Sequence, residues 1–591
     1  MAEKAKINLK IFTRLIQFAK PYKKLFFLVL FGIILLSFVG PTRPLMIKHM
    51  VDEYILQQQD GSRLLIWTLL ILGTLVLEAG LQFMTAYFSN FFAQHIIKDI
   101  RMKIFRHMLS FKVQYFDSRP VGSLVTRVVS DLEAITEVFS SGLIDIAGDV
   151  LSLLVILTMM FVTDWQLSLL VLIPVPLLLI ATRIFARAMR KSFQLEREQV
   201  NKLNSFVQER VTGMSLVQLF NRQEKEYEAF EEINKGHRTA HIKAVWANSI
   251  FFPVVELFSS LSIAFILVWG ALKVEGKTPE QIQQMFGQII GFTLWINLLF
   301  RPIRQLADKF NILQRGTVRA ERIIEILDHT EDVQSQGEGL NVSLSEDIHF
   351  KEVYFAYKEK DWVLKNVSFD IQAGKTIAFV GATGAGKSTI VNLLTRFYDY
   401  QEGEISIGTT ALKNIDTKHL RKKIAIVLQD VFLFSDSIHN NVTLQDESIS
   451  REKVIEAAKL VGAHDFIMQL PQQYDFHIGE RGNALSVGQR QLISFMRAYV
   501  FNPEILILDE ATSSVDNESE ALIQSATEKI TKGRTSLVIA HRLSTIQNAD
   551  EIIVLEKGEV VEMGNPELLL QKEDGFYRRL YEKQYLEKNQ P

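Results

Sequence analysis

The sequence lacks cysteine altogether, with none among its 591 residues. This absence excludes a disulfide framework, a thiolate metal site and a cysteine nucleophile, and it fits a reducing or disulfide-independent setting. A strong excess of either charge is also missing, since the formal net charge is -2. We therefore expect no nucleic-acid partner and no acidic tail.

The basic N-terminal segment MAEKAKINLKIFTRLIQFAKPYKK has no small-residue cleavage site after the apolar run that follows it. We interpret it as a retained segment and not as a cleaved signal peptide. The composition is 48% hydrophobic and 22% charged, which is very apolar for a soluble protein. The length allows about two to four domains. We therefore interpret the high hydrophobic content as the average of an apolar membrane part and a polar soluble part.

Six apolar stretches in the first half are each long enough to cross a bilayer, which takes about twenty helical residues. The third and fourth are separated only by Thr163 to Gln166, which predicts a tight turn. Buried helices of a soluble protein are the alternative, and so many stretches in one half of the chain argue against it. The predicted spans are Leu25–Ile47, Leu64–Phe88, Leu143–Val162, Leu167–Phe185, Ile250–Leu272 and Phe286–Ile303.

Lys and Arg concentrate in the N-terminal segment and in the connections from span two to three and from four to five. By the positive-inside rule, this bias predicts a multi-pass protein of the plasma (inner) membrane with both termini in the cytoplasm. The two long connections are predicted to be helical, with turns at Tyr115–Gly122 and Thr212–Asn221. The apolar stripe of Leu9–Ala19 predicts an amphipathic helix that could lie in the membrane interface.

Four acidic residues fall within predicted spans, namely Glu78, Asp145, Asp149 and Glu256. Carboxylates inside a membrane are costly, so each is a functional candidate. Asp145 and Asp149 are one helical turn apart and would share a face lining a polar cavity. A later start of span three, which would leave both in an interfacial extension, is the alternative. Kinks are expected at Pro41, Pro44, Pro174 and Pro176.

The second half contains GATGAGKST directly after the apolar run Thr376 to Val380 and before the helical pattern IVNLLTRFY. A strand, a glycine-rich loop ending in Lys-Ser and a helix predict a P-loop, although the loop pattern alone can arise by chance. Backbone N–H groups and the helix N-terminus would surround a polyphosphate. Lys387 would reach the β- and γ-phosphates and Ser388 would ligate Mg²⁺. The predicted nucleotide-binding loop is Gly381, Ala382, Thr383, Gly384, Ala385, Gly386, Lys387, Ser388 and Thr389.

Two further patterns follow the loop. The strand-like run ILILDE ends in Asp509, suited to a water-mediated contact with Mg²⁺, and Glu510, suited to polarise an attacking water. Such a general base is worth roughly 10²–10⁴ in rate. Paired acids that merely cap a strand are the alternative. Upstream, the turn LSVGQ precedes an amphipathic helix and is a second anion site, or else an ordinary helix cap.

With these motifs in this order, nearly the whole chain resembles the ATP-binding cassette exporters. GATGAGKST resembles their Walker A motif, ILILDE their Walker B motif, and LSVGQ, with Ser486, Gly488 and Gln489, their signature motif LSGGQ. The resemblance implies that Tyr357 stacks on adenine and that Gln429 senses Mg²⁺ and the attacking water. It also implies a D-loop ending in Asp516 and a switch histidine, His541, on the γ-phosphate. GERG resembles an exporter loop that contacts the membrane helices.

The resemblance implies a fold class: an all-α six-helix transmembrane domain (residues 1–328) and, after a linker (329–346), an α/β P-loop nucleotide-binding domain (347–591). It implies an ATPase that uses ATP and Mg²⁺, with Glu510 and His541 as catalytic residues. Hydrolysis at Glu510 would reset the transporter. The metal residues would be Ser388, Gln429 and Asp509. Coupling helices are expected at the two predicted turns.

The resemblance further implies a half-transporter, in which each ATP lies between one chain's Walker A motif and the other chain's signature motif. Val487 departs from the family pattern, and a β-branched residue would be strained there if the position required a positive φ. We favour a homodimer that tolerates Val487 over an unequal pair of chains. The expected function is export of an amphipathic or lipidic compound. An ATP-gated channel on the same scaffold is the rival hypothesis.

Overall fold

The computed structural model describes residues 9–57, 60–274, 278–330, 339–359, 361–509, 517–540 and 546–588. The chain divides into two compact units. One comprises Met1–Leu109 with Pro120–His329, and the other comprises Ser110–Arg119 with Thr330–Pro591. The domain boundaries expected from the sequence remain a prediction, and residues 331–338 of the expected linker lie outside the described residues.

Helices make up the described part of the chain up to residue 328, with short 3₁₀ or π segments at Lys20–Tyr22, Met50–Gln57 and Val138–Gly142. All of these helices except α4 belong to the first unit. They are α1 (Leu9–Ala19), α2 (Lys23–His49), α3 (Gly61–Met108), α4 (Val113–Asp117), α5 (Val121–Val128), α6 (Ser130–Glu137), α7 (Leu143–Thr163), α8 (Trp165–Leu172), α9 (Pro174–Thr212), α10 (Met214–Leu219), α11 (Gln223–Lys273) and α12 (Pro279–Asp328).

Among the described residues, six helical segments are long and apolar enough to cross a membrane. They confirm the six predicted spans, and most extend well beyond them. The turn between the third and fourth is shorter than predicted, because only Asp164 separates α7 from α8. Its carboxylate accepts hydrogen bonds from the backbone N–H groups of Gln166 (2.8 Å) and Leu167 (3.0 Å), which caps α8. The segments are Thr13–Leu56, Gly61–Met108, Val121–Thr163, Trp165–Thr212, Gln223–Lys273 and Gln281–Gln305.

Prolines act differently in the first and fourth spans. Pro41 and Pro44 lie inside α2, which continues as an α-helix to His49. The helix of the fourth span is interrupted instead, since α8 ends at Leu172 and Pro174 is the first residue of α9. Proline is tolerated at a first helical position because its missing N–H would have no partner there.

The predicted amphipathic helix α1 forms over Leu9–Ala19, as expected. Its Leu15 side chain is buried, with 2% exposure. Arg14 forms a bidentate ion pair with Asp328, the last residue of α12. The helix is therefore fastened to α12, and its location in the membrane interface stays a prediction.

Three of the four acidic residues in the spans have a basic partner on another helix, which the sequence analysis did not identify. Glu78 on α3 pairs with Arg43 on α2 (2.7 Å), and Glu256 on α11 pairs with Arg304 on α12 (3.0 Å). Asp149 on α7 pairs with Lys309 on α12. Asp145 is exposed, whereas Asp149 is only partly exposed, although the two share a helix face.

The second unit contains two sheets in its described part. Strands β2-β1-β4-β5 form an antiparallel sheet, and strands β10-β9-β3-β8-β7-β6 form a sheet whose members from β9 to β6 are parallel. The strands are β1 (Ile348–Ala356), β2 (Trp362–Ile371), β3 (Thr376–Val380), β4 (Glu402–Ile407), β5 (Thr410–Ala411), β6 (Ile424–Val427), β7 (Ile505–Asp509), β8 (Thr535–Ile539), β9 (Glu551–Glu556) and β10 (Glu559–Gly564).

Helices of the second unit pack into two separate hydrophobic cores. One core joins Ile390 of α13 to Phe379 of β3 and Phe350 of β1, and the other joins Leu492 of α18 to Val454 of α16. These described helices are α13 (Lys387–Leu394), α14 (Thr417–Lys423), α15 (Ile438–Thr443), α16 (Arg451–Val461), α17 (His464–Gln469), α18 (Val487–Val500), α19 (Asn517–Thr531), α20 (Pro566–Leu570) and α21 (Phe576–Lys588). The fold is thus six apolar helices followed by an α/β unit, as predicted.

Candidate nucleotide site

The loop between β3 and α13 has a backbone that requires glycine. Gly381, Gly384 and Gly386 adopt φ values of 155°, 84° and 105°. A side chain on Gly381 would place Cβ 2.2 Å from the carbonyl oxygen of Leu555. A Cβ on Gly384 would meet no atom within 4 Å, so this glycine faces open space. The loop therefore curls tightly against the sheet and leaves its outer side accessible, as a phosphate cradle requires.

Lys387 is the buried cation of this loop, with 6% exposure. Its Nζ donates hydrogen bonds to the carbonyl oxygens of Gly381 (2.7 Å) and Ala382 (3.3 Å). Burial lowers the pKa of the ammonium, and the carboxylate of Asp509 acts in the opposite direction. A buried ammonium at the N-terminus of α13 is a strong attractor for a polyphosphate.

The other predicted loop residues divide into accessible and structural ones. Ala382, Thr383 and Ser388 are exposed. The buried Ala385 donates its N–H to the carbonyl oxygen of Ala382 (3.1 Å), so it stabilises the loop itself. Thr389 is also buried, with 5% exposure.

Strand order brings further predicted residues to the same edge of the parallel sheet. Strand β8 lies between β3 and β7, and β6 lies beside β7, all parallel. Asp509 is the last residue of β7 and Gln429 follows β6 by two residues. The carboxyl ends of parallel strands meet at one edge, which is also where the β3 loop begins. The predicted residues Glu510, Asp516 and His541 lie outside the described residues.

The LSVGQ motif forms the start of α18. Ser486 is the N-cap, and its Oγ accepts a hydrogen bond from the backbone N–H of Gln489 (3.2 Å). The Gln489 side-chain oxygen accepts one from the N–H of Ser486 (3.0 Å), which completes a capping box. Val487 is the first helical residue and is not among the residues with positive φ. The strain considered for this valine is therefore absent, because a first helical position accepts a β-branched residue.

Tyr357 is the predicted adenine-stacking residue, and it is 38% exposed. Its hydroxyl oxygen lies 3.2 Å from Thr389 Oγ1 and accepts a hydrogen bond from Asn392 Nδ2 (3.1 Å). Its ring meets that of Tyr398 edge-on, with centroids 4.9 Å apart. The sequence analysis missed Asn392 and Tyr398, since neither belongs to a motif. Asn392 is three residues after Thr389 on α13, and this spacing was the only sequence signal for it; Tyr398 lies beyond the end of α13 and had none.

The structure combines a glycine-rich cradle that holds a buried lysine, an acidic strand end at the same sheet edge, and six apolar helices. These features together define a nucleotide-driven membrane protein. The first part of the chain matches the family model "ABC transporter transmembrane region" over residues 26–303. The second part matches the model "ABC transporter" over residues 364–513. The chain belongs to the ABC transporter family and is a multi-pass membrane protein with an ATP-binding domain.

The relatives match over most of their length. The chain is 36% identical over 97% of its length to the uncharacterized ABC transporter ATP-binding protein YknV of Bacillus subtilis (strain 168), and it covers 94% of that protein. It is 34% identical to the ATP-dependent lipid A-core flippase of Syntrophus aciditrophicus (strain SB), with coverage of 98% and 95%. It is 37% identical to the B. subtilis protein YheH, a probable multidrug resistance ABC transporter ATP-binding/permease protein, with coverage of 87% and 76%.

A solved structure agrees with the fold. A bacterial Atm1-family ABC exporter with ATP bound aligns with a TM-score of 0.77 and 25% sequence identity. The alignment covers 94% of this chain and 98% of that one. The architecture is thus that of an ABC exporter.

Proposed function

We propose that this protein hydrolyses ATP to export an amphipathic or lipidic compound across the plasma membrane. The observation that carries the proposal is the meeting of the P-loop with Asp509 and Gln429 at one sheet edge, in a chain that also has six apolar helices. Both parts of a primary transporter are therefore present in one polypeptide. The positive-inside bias supports cytoplasmic termini, which would place the nucleotide site beside the cellular ATP pool.

The residues around the cradle are suited to bind Mg²⁺ and a nucleoside triphosphate. Ser388, Gln429 and Asp509 offer a hydroxyl, an amide oxygen and a carboxylate, the oxygen donors that Mg²⁺ prefers. The metal would neutralise charge on the phosphate oxygens when bound. Lys387 would hold the terminal phosphates, and the open face of Gly384 would admit them. Gly386, Ala382, Thr383, Ala385 and Thr389 would shape the loop.

Catalysis is assigned to Glu510 and His541. Glu510 directly follows Asp509 in sequence, and we propose that it accepts the proton of the attacking water. His541 follows β8, the strand between the P-loop strand β3 and β7, and we propose that it holds the γ-phosphate. Tyr357 would stack on adenine with its exposed ring.

The site requires a second subunit in this proposal. Ser486, Gly488, Gln489 and Asp516 would complete the nucleotide site of a partner chain. We favour a homodimer, because α18 has a complete capping box and an unstrained Val487 despite the altered motif. The alternative is an unequal pair of chains. ATP turnover by the purified chain in lipid supports the homodimer; no turnover alone, with recovery on adding a second chain, supports the unequal pair.

The cargo is tested with two probes in inside-out proteoliposomes: a nitrobenzoxadiazole-labelled phospholipid and the cationic dye Hoechst 33342. Two relatives, named a lipid A-core flippase and a probable multidrug resistance transporter, support these classes. We expect ATP-dependent movement of at least one probe, absent with Lys387→Ala. Movement of neither probe, with ATPase intact, removes the cargo proposal. Ion current that persists without hydrolysis would favour a channel instead.

A further inference from the structure

The segment Ser110–Arg119 directly follows α3 in the chain, but it belongs to the nucleotide-binding unit. Within it, Phe111 and Tyr115 are buried, with exposures of 2% and 1%, and their ring centroids lie 4.4 Å apart. The guanidinium of Arg119 lies over the ring of Tyr115, 3.9 Å from its centroid. Aromatic packing therefore stabilises this segment, and α4 within it, from inside.

Two polar contacts join the same segment to the chain just after α13. Tyr398 donates a hydrogen bond from its hydroxyl to Asp117 Oδ2 (2.6 Å), and Lys112 pairs with Asp399 (2.8 Å). They differ in burial, since Tyr398 is 9% exposed while the Lys112 and Asp399 side chains are 25% and 38% exposed. Burial and the bond to Asp117 raise the pKa of Tyr398, so its hydroxyl remains protonated and donates throughout the physiological range.

The buried ring of Tyr398 also touches the proposed base-binding residue. Its plane is nearly perpendicular to that of Tyr357, at 87°, and Phe355 packs against both rings with centroids 4.8 and 5.8 Å away. The Tyr357 hydroxyl is held by Thr389 and Asn392 of α13. Contacts thus run without a gap from the P-loop helix through Tyr357 and Tyr398 to Asp117.

We propose that Tyr398 is a positioning residue that couples nucleotide on the exposed face of Tyr357 to the position of α4, through its hydrogen bond to Asp117. The inference rests on the proposed function, in which Tyr357 stacks on adenine. Protein interiors are close-packed, so a displaced ring must move its neighbours. Phe355 fills one side of Tyr357 and α13 holds its hydroxyl, which leaves Tyr398 as the neighbour that transmits the movement toward Asp117.

The test uses the full chain in lipid nanodiscs and needs no knowledge of the cargo. Because the protein has no cysteine, Met102→Cys gives a single labelling site. Met102 lies on α3 and is 57% exposed, so a bimane label there reports on the helix that leads into the segment. Two nucleotide concentrations are compared. The binding midpoint is the concentration of the fluorescent analogue TNP-ATP at half-maximal binding, and the response midpoint is the concentration of a non-hydrolysable ATP analogue at half-maximal bimane response.

Tyr398→Phe keeps the ring and removes the hydrogen bond. We expect the response midpoint to rise about tenfold relative to the parent protein, because one hydrogen bond to a charged acceptor is lost. The binding midpoint should stay within about twofold of the parent value. Asp117→Ala should likewise raise the response midpoint and leave the binding midpoint unchanged. The double variant should show the same response midpoint as either single variant, because both substitutions remove the same bond. Lys112→Met, which removes the neighbouring exposed ion pair, is the matched control and should leave both midpoints unchanged.

The outcomes separate the two proposals. A labelled parent protein that binds no nucleotide overturns the proposed function. A parent that binds nucleotide without a bimane response, or variants that respond like the parent, overturn the role of Tyr398 and leave the proposed function standing. If Tyr398→Phe does not fold, Asp117→Ala tests the same bond from its exposed end.

Discussion

The ion pair between Asp149 and Lys309 joins α7 to α12, and both side chains are largely buried, with exposures of 22% and 12%. Asp149→Asn preserves the shape of the side chain and removes the carboxylate that is paired with the Lys309 ammonium. Breaking a buried pair costs about 3–5 kcal/mol of stability. Because neither side chain is fully buried in the protein, we expect Asp149→Asn to lower the free energy of unfolding by about 2–3 kcal/mol.

The assay is unfolding by SDS titration in mixed micelles, followed by tryptophan fluorescence. The double variant Asp149→Asn with Lys309→Gln removes both charges and should regain at least half of the loss, since an apolar or neutral pair avoids the buried lone charge. Glu256→Gln is the matched control. Glu256 is 60% exposed and its bond to Arg304 also reaches α12, so its removal breaks a less buried pair and should cost less than Asp149→Asn.

A different result would refute this reasoning. If Asp149→Asn unfolds like the parent protein, and adding Lys309→Gln only worsens stability, the pair does not hold the helices together. Asp149 would then join the exposed Asp145 as a cargo-facing carboxylate, which is one of the two interpretations that the sequence leaves open. If Asp149→Asn loses Hoechst 33342 transport while its stability is unchanged, Asp149 contacts the cargo.

Three other predictions use the nucleotide-binding unit. Glu510→Gln should bind TNP-ATP normally yet lose turnover by about 10²–10⁴-fold; turnover within tenfold of the parent would remove its role as base. Val487→Gly should change ATP turnover by less than about threefold, because the valine is unstrained at a first helical position; a large gain would mean that its side chain obstructs the site. Arg451 lowers the pKa of Asp475 through a bidentate hydrogen bond, so this pair stabilises the fold above about pH 4 and the contribution is lost as pH falls further. Asp475→Asn should therefore cost less than about 1 kcal/mol at pH 7, since the pair is exposed, and its unfolding midpoint should approach that of the parent below pH 4.

Spans and the P-loop could be predicted from the sequence because their signals are local. A run of about twenty apolar residues identifies a helix wherever its neighbours lie. The glycines of GATGAGKST likewise predict a loop of positive φ, which Gly384 and Gly386 adopt. The capping of α18 also follows from nearby residues, since Ser486 and Gln489 are three apart.

Pairings between distant residues could not be predicted in the same way. Glu78 and Arg43 are on different helices, and the hydropathy of each span contains no information on which face meets which neighbour. The sequence analysis therefore weighed the acidic residues singly and assigned none of them a partner. The same limit applies to Tyr398 and Asp117, separated by 281 positions, where an ordinary tyrosine gains its significance only from the residues that it contacts.

The position of LSVGQ shows why one altered residue need not weaken the site. Gly488 is buried at the start of α18, while Val487 is 41% exposed and does not belong to the hydrophobic core that contains Leu492 and Met496. The P-loop helix α13 packs into the other core, so the P-loop and LSVGQ are supported by different cores. A substitution at Val487 is then free to change the surface offered to a partner chain without disturbing the chain's own P-loop. Any effect of a substitution of Val487 should accordingly appear in the rate of ATP hydrolysis by the assembled dimer. The substitution should not change the affinity of a single chain's P-loop for nucleotide.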